Sequence, residues 1–394
     1  MNAARVISLR STEGSTPPAL ADVDPARAAA WRGVRRLLAI RVDNLGDVLM
    51  TTPALAAAAA SVPGLDITLL GSPSASALAP HLTMVREVMP ARVSWVRHAD
   101  GLPPEDDAAL VDRIARGRFD AAVIFTVCTQ SALPAAMLCR MAGIPLRLAH
   151  VRENPYQLLS DWAPEVDLDL ATARHEVRRQ LDLVGRVGWQ GHDERLRFEL
   201  RPEDVAHVDA MLDVEPTRRR GNRIVLIHVG ATAASRRWPA ERFGLVADEI
   251  ARREGACILF TGSAAEAPLV EAARGAMRMP SRSLAGQLSL GQLAALVARA
   301  QLVVSNNSGP VHLAAALGTP VVDLYALTNP QHTPWQVRAH VLSHDVACRN
   351  CLKSTCPQGH HRCLRGVSPR RVVDAALDLL GSLADPVSFA KAVS

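Results

Sequence analysis

The sequence predicts an α/β protein with two Rossmann-like domains, and three observations support this. Short runs of β-branched and apolar residues alternate with amphipathic helical stretches along most of the chain, which indicates βαβ units and parallel sheets. The chain has 394 residues, more than one hydrophobic core usually holds. Between Asp213 and Asn222 the sequence becomes polar and charged (DVEPTRRRGN), as expected of an interdomain linker.

These observations divide the chain into five predicted segments. Residues 1–34 are rich in Ala, Pro, Ser and Arg without a continuous apolar run, which predicts a flexible leader rather than a secretory signal. An N-terminal domain is predicted at 35–213, the linker at 214–222 and a C-terminal domain at 223–368. Residues 369–394 are predicted to form a helix and a tail, and that helix could pack back on the N-terminal domain.

The positions of the strands and helices follow from hydrophobic periodicity. Strands are predicted at 36–42, 66–70, 93–96, 121–127, 223–229, 256–261, 301–305 and 320–324. Helices are predicted at 47–60, 105–116, 131–141, 173–187, 202–212, 240–253, 265–277, 289–300, 311–317 and 369–380. Ligands of such sheets bind at the carboxyl ends of the strands, so both halves are expected to face a shared cleft.

The composition excludes some classes of function. No apolar run approaches the roughly 20 residues that a membrane span needs, so the cytoplasm is the expected compartment. Aromatic residues make up 4% of the chain and no basic run is interleaved with them, which argues against nucleic-acid binding. The net charge of +5 is carried almost entirely by arginine. This bias suits GC-rich coding, or else contact with phosphates and an anionic membrane surface.

The segment from Gln301 to Trp335 has the pattern strand, turn, helix, strand, loop. Asn307 or Ser308 would serve as a helix N-cap, and Pro310 suits the first helical turn. Backbone N–H groups at a helix start bind phosphate readily, and His312 lies one turn into the helix, where its ring could donate to the same anion. The alternative is a capped core helix with no ligand.

The run Asn307-Ser308-Gly309-Pro310-Val311-His312, followed by residues 313–320, resembles the (D/N)(S/T)GPxHLAAALGTP-like signature of family 9 glycosyltransferases. This is the heptosyltransferase family of lipopolysaccharide assembly. The resemblance implies a GT-B fold, two Rossmann-like domains facing a central cleft, with the diphosphate of the sugar donor at this segment. The usual first residue is Asp. Asn307 keeps the phosphate cradle but removes one hydrogen-bond acceptor for the sugar or the ribose.

A second segment, Arg41 to Leu55 (RVDNLGDVLMTTPAL), resembles the GDV…TxPAL segment of the same family. The proposed catalytic base of the family corresponds to Asp47, and the resemblance places Asn44 and Gly46 on the acceptor side. Gly46 would allow a close approach of the acceptor to the backbone. Asp47 could instead be an ordinary acidic residue at a helix start. Asp43, on the same turn, is a weaker competitor.

Further residues correspond to the family's site for the sugar donor. Arg236 takes the place of the Lys in a K-x-W-P segment that holds the diphosphate, and Thr232 could add a hydroxyl. Glu266 corresponds to a residue that binds the ribose, and Leu288 to an apolar residue against the nucleobase. The alternatives are a solvated loop cation for Arg236, a first-turn helix residue for Glu266 and a core residue for Leu288.

Four cysteines cluster near the C-terminus: Cys348, Cys351, Cys356 and Cys363, with His360 and His361 in the last gap. Thiolates and imidazoles at this density suit a structural zinc ion, and reduced thiols without metal are the alternative. A disulfide is disfavoured in a reducing cytosol, and an iron–sulfur cluster lacks its usual spacing. The remaining cysteines lie in apolar runs and are expected to be buried: Cys128, Cys139 and Cys257.

The resemblance implies an inverting glycosyltransferase that needs no metal or other cofactor for catalysis. It would move a heptose-like sugar from an ADP-heptose-like donor to a saccharide acceptor of lipopolysaccharide or another cell-surface glycan. We expect a monomer, with peripheral contact to the inner membrane as one option. Two alternatives are a sugar-nucleotide epimerase of the same fold and a non-catalytic protein that binds sugar nucleotides or glycans.

Overall fold

The computed structural model describes residues 25–96, 102–167, 169, 173–218 and 221–381. These residues form two compact units. The N-terminal unit holds the described residues up to Glu199 together with Pro330–His332, and the C-terminal unit holds Leu200–Asn329 and the described residues from Thr333 onward.

The N-terminal unit is a parallel sheet with helices packed against it. Its strands are β1 (Arg36–Arg41), β2 (Asp66–Gly71), β3 (Glu87–Pro90), β4 (Ala121–Ile124), β5 (Leu146–Val151) and β6 (Asp161–Pro164). Its helices are α1 (Pro25–Arg32), α2 (Leu45–Ser61), α3 (Asp107–Arg116), α4 (Leu133–Met141) and α5 (Glu176–Gly185). The strand order β3-β2-β1-β4-β5-β6 reverses between β1 and β4, as in a Rossmann sheet.

The C-terminal unit repeats this topology. Its strands are β7 (Ile224–His228), β8 (Cys257–Thr261), β9 (Arg282–Ser283), β10 (Leu302–Asn306), β11 (Val321–Leu324) and β12 (Ala339–Leu342). Its helices are α6 (Pro202–Asp213), α7 (Ala240–Glu254), α8 (Ala267–Gly275), α9 (Leu290–Arg299), α10 (Gly309–Leu317), α11 (Arg362–Arg365) and α12 (Pro369–Gly381). The order β12-β11-β10-β7-β8-β9 reverses between β7 and β10. The predicted α/β class with two Rossmann-like sheets is therefore confirmed.

The sequence located the central strands best. β1, β7 and β10 are buried along almost their whole length, which produces the apolar runs that predicted them. The strand predicted at 93–96 is wrong, because the edge strand β3 lies earlier, at the half-buried sequence EVMP. β5 and β6 escaped prediction because buried polar residues, such as Arg147 and Asp161, interrupt their apolar patterns.

The predicted leader 1–34 is wrong from residue 25 onward, because α1 packs on the N-terminal unit. The Trp31 side chain is buried and meets Trp189 edge-on, with ring centroids 5.2 Å apart. Its indole N–H donates to Asp161 Oδ2 at 3.0 Å. Residues 1–24 lie outside the described residues.

The boundary between the units also differs from the prediction. The helix α6 belongs to the C-terminal unit, where Asp209 pairs with Arg299 of α9 at 2.7 Å, so the boundary falls at residue 199 rather than 213. The predicted linker 214–222 likewise lies inside that unit, and its Glu215 accepts a hydrogen bond from Arg282 at 2.7 Å. The described part of the C-terminal segment, α12, packs into the core of the C-terminal unit.

None of the helices in the described part of the chain combines the length and hydropathy that a membrane span requires.

Candidate functional site

The candidate site of the N-terminal unit follows β1, next to the point where the strand order reverses. The helix α2 begins at Leu45, directly after the turn that leaves β1. Asn44 N–H donates to Asp47 Oδ2 at 3.1 Å, while Asp47 Oδ1 lies 3.3 Å from Arg41 Nη2. The Asp47 side chain is 13% exposed to solvent. The carboxylate is therefore held at both oxygens and still meets solvent.

Arg41 links Asp47 to a buried network of charges. Its side chain is fully buried, and Nε lies 3.1 Å from Asp43 Oδ2 while Nη1 lies 2.9 Å from Glu176 Oε1. Burial alone would raise the pKa of Glu176, but the charges of Arg41 and Arg179 and a hydrogen bond from Gln180 lower it to about 2. Glu176 is thus an ionised carboxylate in the interior, stabilised by two guanidinium groups.

Sequence reasoning missed the roles of Arg41 and Glu176. Arg41 follows four apolar residues of β1, and a charge directly after such a run was the available signal. Glu176 gave no signal, because its partner Arg41 is 135 residues away in the chain. The structure alone brings α5 beside the end of β1.

Asp43 is mostly buried and makes contacts that stabilise the turn after β1. Gln130, after β4, donates to Asp43 Oδ1 at 2.7 Å, and the Asp43 carbonyl accepts from Ser72 Oγ at 2.9 Å. Burial raises the pKa of Asp43, and the charge of Arg41 opposes that shift. Asp43 therefore ties the loops after β1, β2 and β4 to one another at the edge of the sheet.

A short segment from late in the chain also contributes to the candidate site of the N-terminal unit. Pro330–His332 belongs to the N-terminal unit, and His332 Nδ1 lies 3.9 Å from Asp47 Oδ1. Gln331 Nε2 donates to the Arg174 carbonyl at 3.0 Å across 157 residues of sequence. That separation explains why the sequence gave no sign of the contact.

The candidate site of the C-terminal unit is organised around the start of α10. Ser308 occupies the N-cap position, as predicted, but its hydroxyl donates to the Asn306 carbonyl at 3.1 Å and forms no hydrogen bond to the first turn. Asn306 accepts from Trp238 N at 2.9 Å and donates to the Val229 carbonyl at 2.8 Å. Asn306, which the sequence analysis did not single out, thereby joins the loops after β7 and β10.

Arg236 lies in the loop after β7 and is half-buried. Its Nε is buried and has no hydrogen-bond partner among the described residues. Thr232, in the same loop, is exposed. A buried guanidinium N–H without a partner is uncommon in proteins and calls for an explanation.

Glu266 lies over the first turn after β7. Its Oε2 accepts from Ser263 N at 2.8 Å and from Ser263 Oγ at 2.9 Å, and a Cβ at Gly230 would lie 1.9 Å from its Oε1. Gly230 is therefore the residue that leaves space for this carboxylate. Leu288 is half-buried in the loop before α9. The ribose and nucleobase contacts of Glu266 and Leu288 stay predictions.

Asn307 and His312 are both mostly buried in the C-terminal unit. Asn307 Nδ2 donates to Asp323 Oδ2, on β11, at 3.0 Å. Burial raises the pKa of Asp323 to about 8, although the hydrogen bond from Asn307 and the charge of Arg236 lower it. The sequence analysis missed Asp323, whose signal was a carboxylate inside the apolar run of a buried strand.

The four clustered cysteines are half-buried and unpaired. Cys348 Sγ lies 3.8 Å from His360 Nε2, but no three His, Cys, Asp or Glu side chains of the described residues are grouped closely enough to hold a metal ion. The segment also touches the Arg236 loop, because Ser235 Oγ donates to the Lys353 carbonyl at 3.0 Å. The predicted zinc site stays a prediction, and the burial of the other three cysteines is confirmed: Cys128, Cys139 and Cys257.

Two Rossmann-like units in one chain are the architecture of the GT-B class of glycosyltransferases. The model of glycosyltransferase family 9 (heptosyltransferase) matches residues 108–361 of the chain. The match covers more than half of the sequence, so the chain belongs to glycosyltransferase family 9.

Individual relatives agree with this assignment. Lipopolysaccharide heptosyltransferase 1 of Pseudomonas aeruginosa is 27% identical over 328 residues, which are 82% of this chain and 87% of that protein. A family 9 glycosyltransferase structure from Veillonella parvula has a TM-score of 0.72 at 23% identity, covering 88% of this chain and 98% of its own. The structure of ADP-heptose lipopolysaccharide heptosyltransferase II from Escherichia coli has a TM-score of 0.69 at 21% identity. The match covers 89% of this chain and 100% of that chain. The two structures share the fold, which confirms the predicted GT-B class.

Proposed function

We propose that this glycosyltransferase moves a heptose-like sugar from an ADP-heptose-like donor to a saccharide acceptor of lipopolysaccharide or another cell-surface glycan. The names of the relatives from Pseudomonas aeruginosa and Escherichia coli support the choice of sugar and pathway. The observation that carries the chemistry is the Asp47 carboxylate, fixed at the carboxyl end of β1 by Arg41 and by Asn44 N–H.

In this proposal Asp47 is the general base. The acceptor hydroxyl gives its proton to the Asp47 carboxylate while its oxygen attacks the anomeric carbon of the sugar donor. The bond between that carbon and the diphosphate oxygen breaks, and the electron pair leaves with the nucleoside diphosphate. One displacement inverts the anomeric configuration. The Arg41 guanidinium, 3.3 Å from Asp47 Oδ1, would hold that carboxylate oxygen in place.

The leaving diphosphate gathers negative charge, and the C-terminal unit offers positive groups for it. Arg236 presents a buried Nε that no described residue uses, and the start of α10 at Gly309 adds N–H groups and the positive end of a helix dipole. Thr232, Ser308 and His312 would contribute hydrogen bonds. These groups supply the stabilisation that other transferases obtain from a divalent cation, so we propose a metal-independent reaction.

The nucleoside and the cysteine segment complete the proposal. Glu266 would accept hydrogen bonds from the ribose hydroxyls, and Leu288 would pack against the base. The thiol and imidazole groups of the segment 348–363 suit structural zinc by their chemistry, and no catalytic step involves them. We further propose a monomer in the cytoplasm that contacts the membrane surface peripherally.

The test is a turnover assay of the purified full-length protein with a panel of sugar nucleotides, including ADP-heptose, and no added divalent cation. We expect ADP release only when a saccharide acceptor is present, and a product of inverted anomeric configuration by NMR. Epimerisation of the donor without an acceptor would instead identify an epimerase. Binding without turnover in any combination would identify a sugar-nucleotide-binding protein.

A further inference from the structure

Large apolar side chains are exposed close together in the N-terminal unit, between α4 and β6. Their exposed fractions are 45% for Met137, 62% for Met141, 81% for Tyr156 and 44% for Trp162. By contrast, three other tryptophans are at most 1% exposed: Trp31, Trp189 and Trp238. Single exposed apolar residues are ordinary on protein surfaces, but a contiguous group of them marks an interaction site.

The first three of these side chains meet at the end of α4. Met137 and Met141 are four residues apart in the helix and therefore lie on the same face of it. Arg140 Nη1 donates to the Gln157 carbonyl at 2.9 Å, which places the turn that carries Tyr156 beside the last turn of α4. The two methionines and the tyrosine thus belong to one part of the surface.

Trp162 lies on the same side of the sheet. It belongs to β6, the edge strand, and is in register with Ala149 of β5. Ala149 packs in the core beneath α4, together with Ala135 of that helix. Residues in register on neighbouring strands share a face of the sheet, so Trp162 faces the side that α4 covers. We call the four exposed apolar residues the α4 surface: Met137, Met141, Tyr156 and Trp162.

Arginines border the α4 surface. The helix α3 packs against α4. Its Arg113 is paired with a carboxylate, whereas neither Arg116 nor Arg118 pairs with a carboxylate of the described residues. Arg140 donates to carbonyl oxygens of Gln157 instead of to a carboxylate. Exposed arginines outnumber exposed carboxylates by four to two between residues 110 and 164: Arg116, Arg118, Arg140 and Arg152 against Asp112 and Glu153.

We propose that the α4 surface binds an anionic phospholipid bilayer, with its apolar side chains at the boundary between headgroups and acyl chains and the bordering arginines on lipid phosphates. This inference rests on the proposed function, which includes peripheral membrane contact, and assigns that contact to one surface of the N-terminal unit. Tyr and Trp suit such a boundary because their rings are apolar and their edges carry a polar group. Guanidinium groups bind phosphate oxygens in pairs.

The charge of the border favours a bilayer over a second copy of this chain. In a two-fold symmetric dimer the same patch meets itself, so each arginine would approach the arginines of the other copy. Like charges brought together in this way oppose association. An anionic bilayer instead supplies the opposite charge across the whole patch.

The first test is sedimentation of the full-length protein with lipid vesicles. We expect tighter binding to vesicles of phosphatidylcholine and phosphatidylglycerol in equal amounts than to phosphatidylcholine alone, and weaker binding at high salt. Met141→Ser combined with Tyr156→Ser should lower vesicle affinity about 10–100-fold, because two large apolar side chains leave the interface. The matched control is Val214→Ser combined with Leu245→Ser, two exposed apolar residues of the C-terminal unit, which should bind like wild type.

Trp162 provides a second readout that needs no disruptive substitution. Vesicles that contain brominated phosphatidylcholine should quench its fluorescence, because a bilayer-bound Trp162 lies near the acyl chains. Trp162→Phe keeps an apolar ring, so it should still bind the vesicles but lose most of the quenching. Quenching that is unchanged in Trp162→Phe, or an equal loss of vesicle affinity in the two double variants, would overturn the proposal.

Two further outcomes separate this inference from its alternatives. A wild-type dimer in sedimentation velocity without lipid, dissociated by Met141→Ser combined with Tyr156→Ser, would make the α4 surface a protein interface and overturn the proposal. Sugar transfer to a soluble acceptor without vesicle binding would refute the membrane surface alone. Vesicle binding through the α4 surface without any sugar transfer would refute the proposed function and support the membrane surface.

Discussion

The candidate sites of the two units hold their polar groups in different ways. In the N-terminal unit, Asp47 belongs to a buried network of full charges in which Arg41 contacts three carboxylates, those of Asp43, Asp47 and Glu176. In the C-terminal unit, Asn306, Asn307 and Ser308 are held by hydrogen bonds rather than by ion pairs.

This difference matches the chemistry proposed for each unit. A general base must be held in place close to the interior, and a guanidinium that is itself buried and paired can hold it there. A diphosphate site must keep its positive groups uncompensated until the ligand arrives. Arg236, with a buried Nε that no described residue uses, meets that need.

Replacing Asp47 should produce the largest effect. Asp47→Asn preserves the size and the helix-capping ability of the side chain but removes the basic lone pair. We expect single-turnover transfer to fall by about 10²–10⁴-fold, the usual contribution of general-base catalysis. ADP affinity and the melting temperature should stay near the wild-type values.

The matched control is Asp43→Asn, the same chemical change on the same turn. We expect its transfer rate to fall much less than that of Asp47→Asn, because Asp43 bonds to Arg41, Gln130 and Ser72 rather than to the acceptor. A larger loss in Asp43→Asn than in Asp47→Asn would move the role of base to Asp43.

Neutralising Glu176 should break the charge network. Glu176→Gln leaves two buried guanidinium groups short of one negative charge. We expect a loss of about 3–5 kcal/mol in the free energy of unfolding, measured in urea at pH 7. Glu194→Gln is the control, because Glu194 pairs with the half-exposed Arg178 at 2.7 Å and should cost at most about 1 kcal/mol. Equal losses of unfolding free energy in Glu176→Gln and Glu194→Gln would show that the buried network stabilises the protein no more than the surface pair does.

The stability difference between wild type and Glu176→Gln should depend on pH. The pKa of Glu176 in the folded protein is about 2, below its value of 4.5 in the unfolded chain. Between these values the unfolded chain binds more protons, so the contribution of Glu176 is present above about pH 4.5 and declines as the pH falls toward 2. The stability difference between wild type and Glu176→Gln should shrink over this interval, and a constant difference would contradict the assignment.

Arg236 is expected to have a smaller effect, confined to the nucleotide. Arg236→Ala should weaken ADP binding by about 1.5–3 kcal/mol in isothermal titration, the range for a hydrogen bond to a charged group. Arg237→Ala is the control in the same loop: Arg237 is exposed, and its Nε donates to the Ala231 carbonyl at 2.7 Å. Similar affinities for the two variants would make Arg236 an ordinary loop cation.

The cysteine segment should affect the sugar-donor site least. If it binds zinc, protein purified without added metal should contain one ion per chain, and chelation should lower the melting temperature. ADP affinity should fall only about 2–10-fold, because Ser235 is joined to the segment by two neutral hydrogen bonds, from its hydroxyl to the Lys353 carbonyl and from its N–H to the Ser354 carbonyl. Protein free of zinc and iron, with full stability and activity, would end the zinc hypothesis.

The sequence by itself determined the features that depend on neighbouring residues. Central strands, the turn that brings Asp47 into the first turn of α2, and the Gly309-Pro310 helix start are all encoded within a few residues of one another. Periodicity and turn chemistry act over that distance, so local reasoning recovered the fold class and the residues of the family motifs.

Only the tertiary structure decided how these residues are supported. Glu176 reaches Arg41 and Gln331 reaches Arg174 across 135 and 157 residues of sequence. Asp323 meets Asn307 because β11 lies beside β10, and α6 joins the C-terminal unit through its contact with α9. Buried charges and amides are stable only when partners surround them, and packing brings those partners from distant parts of the chain.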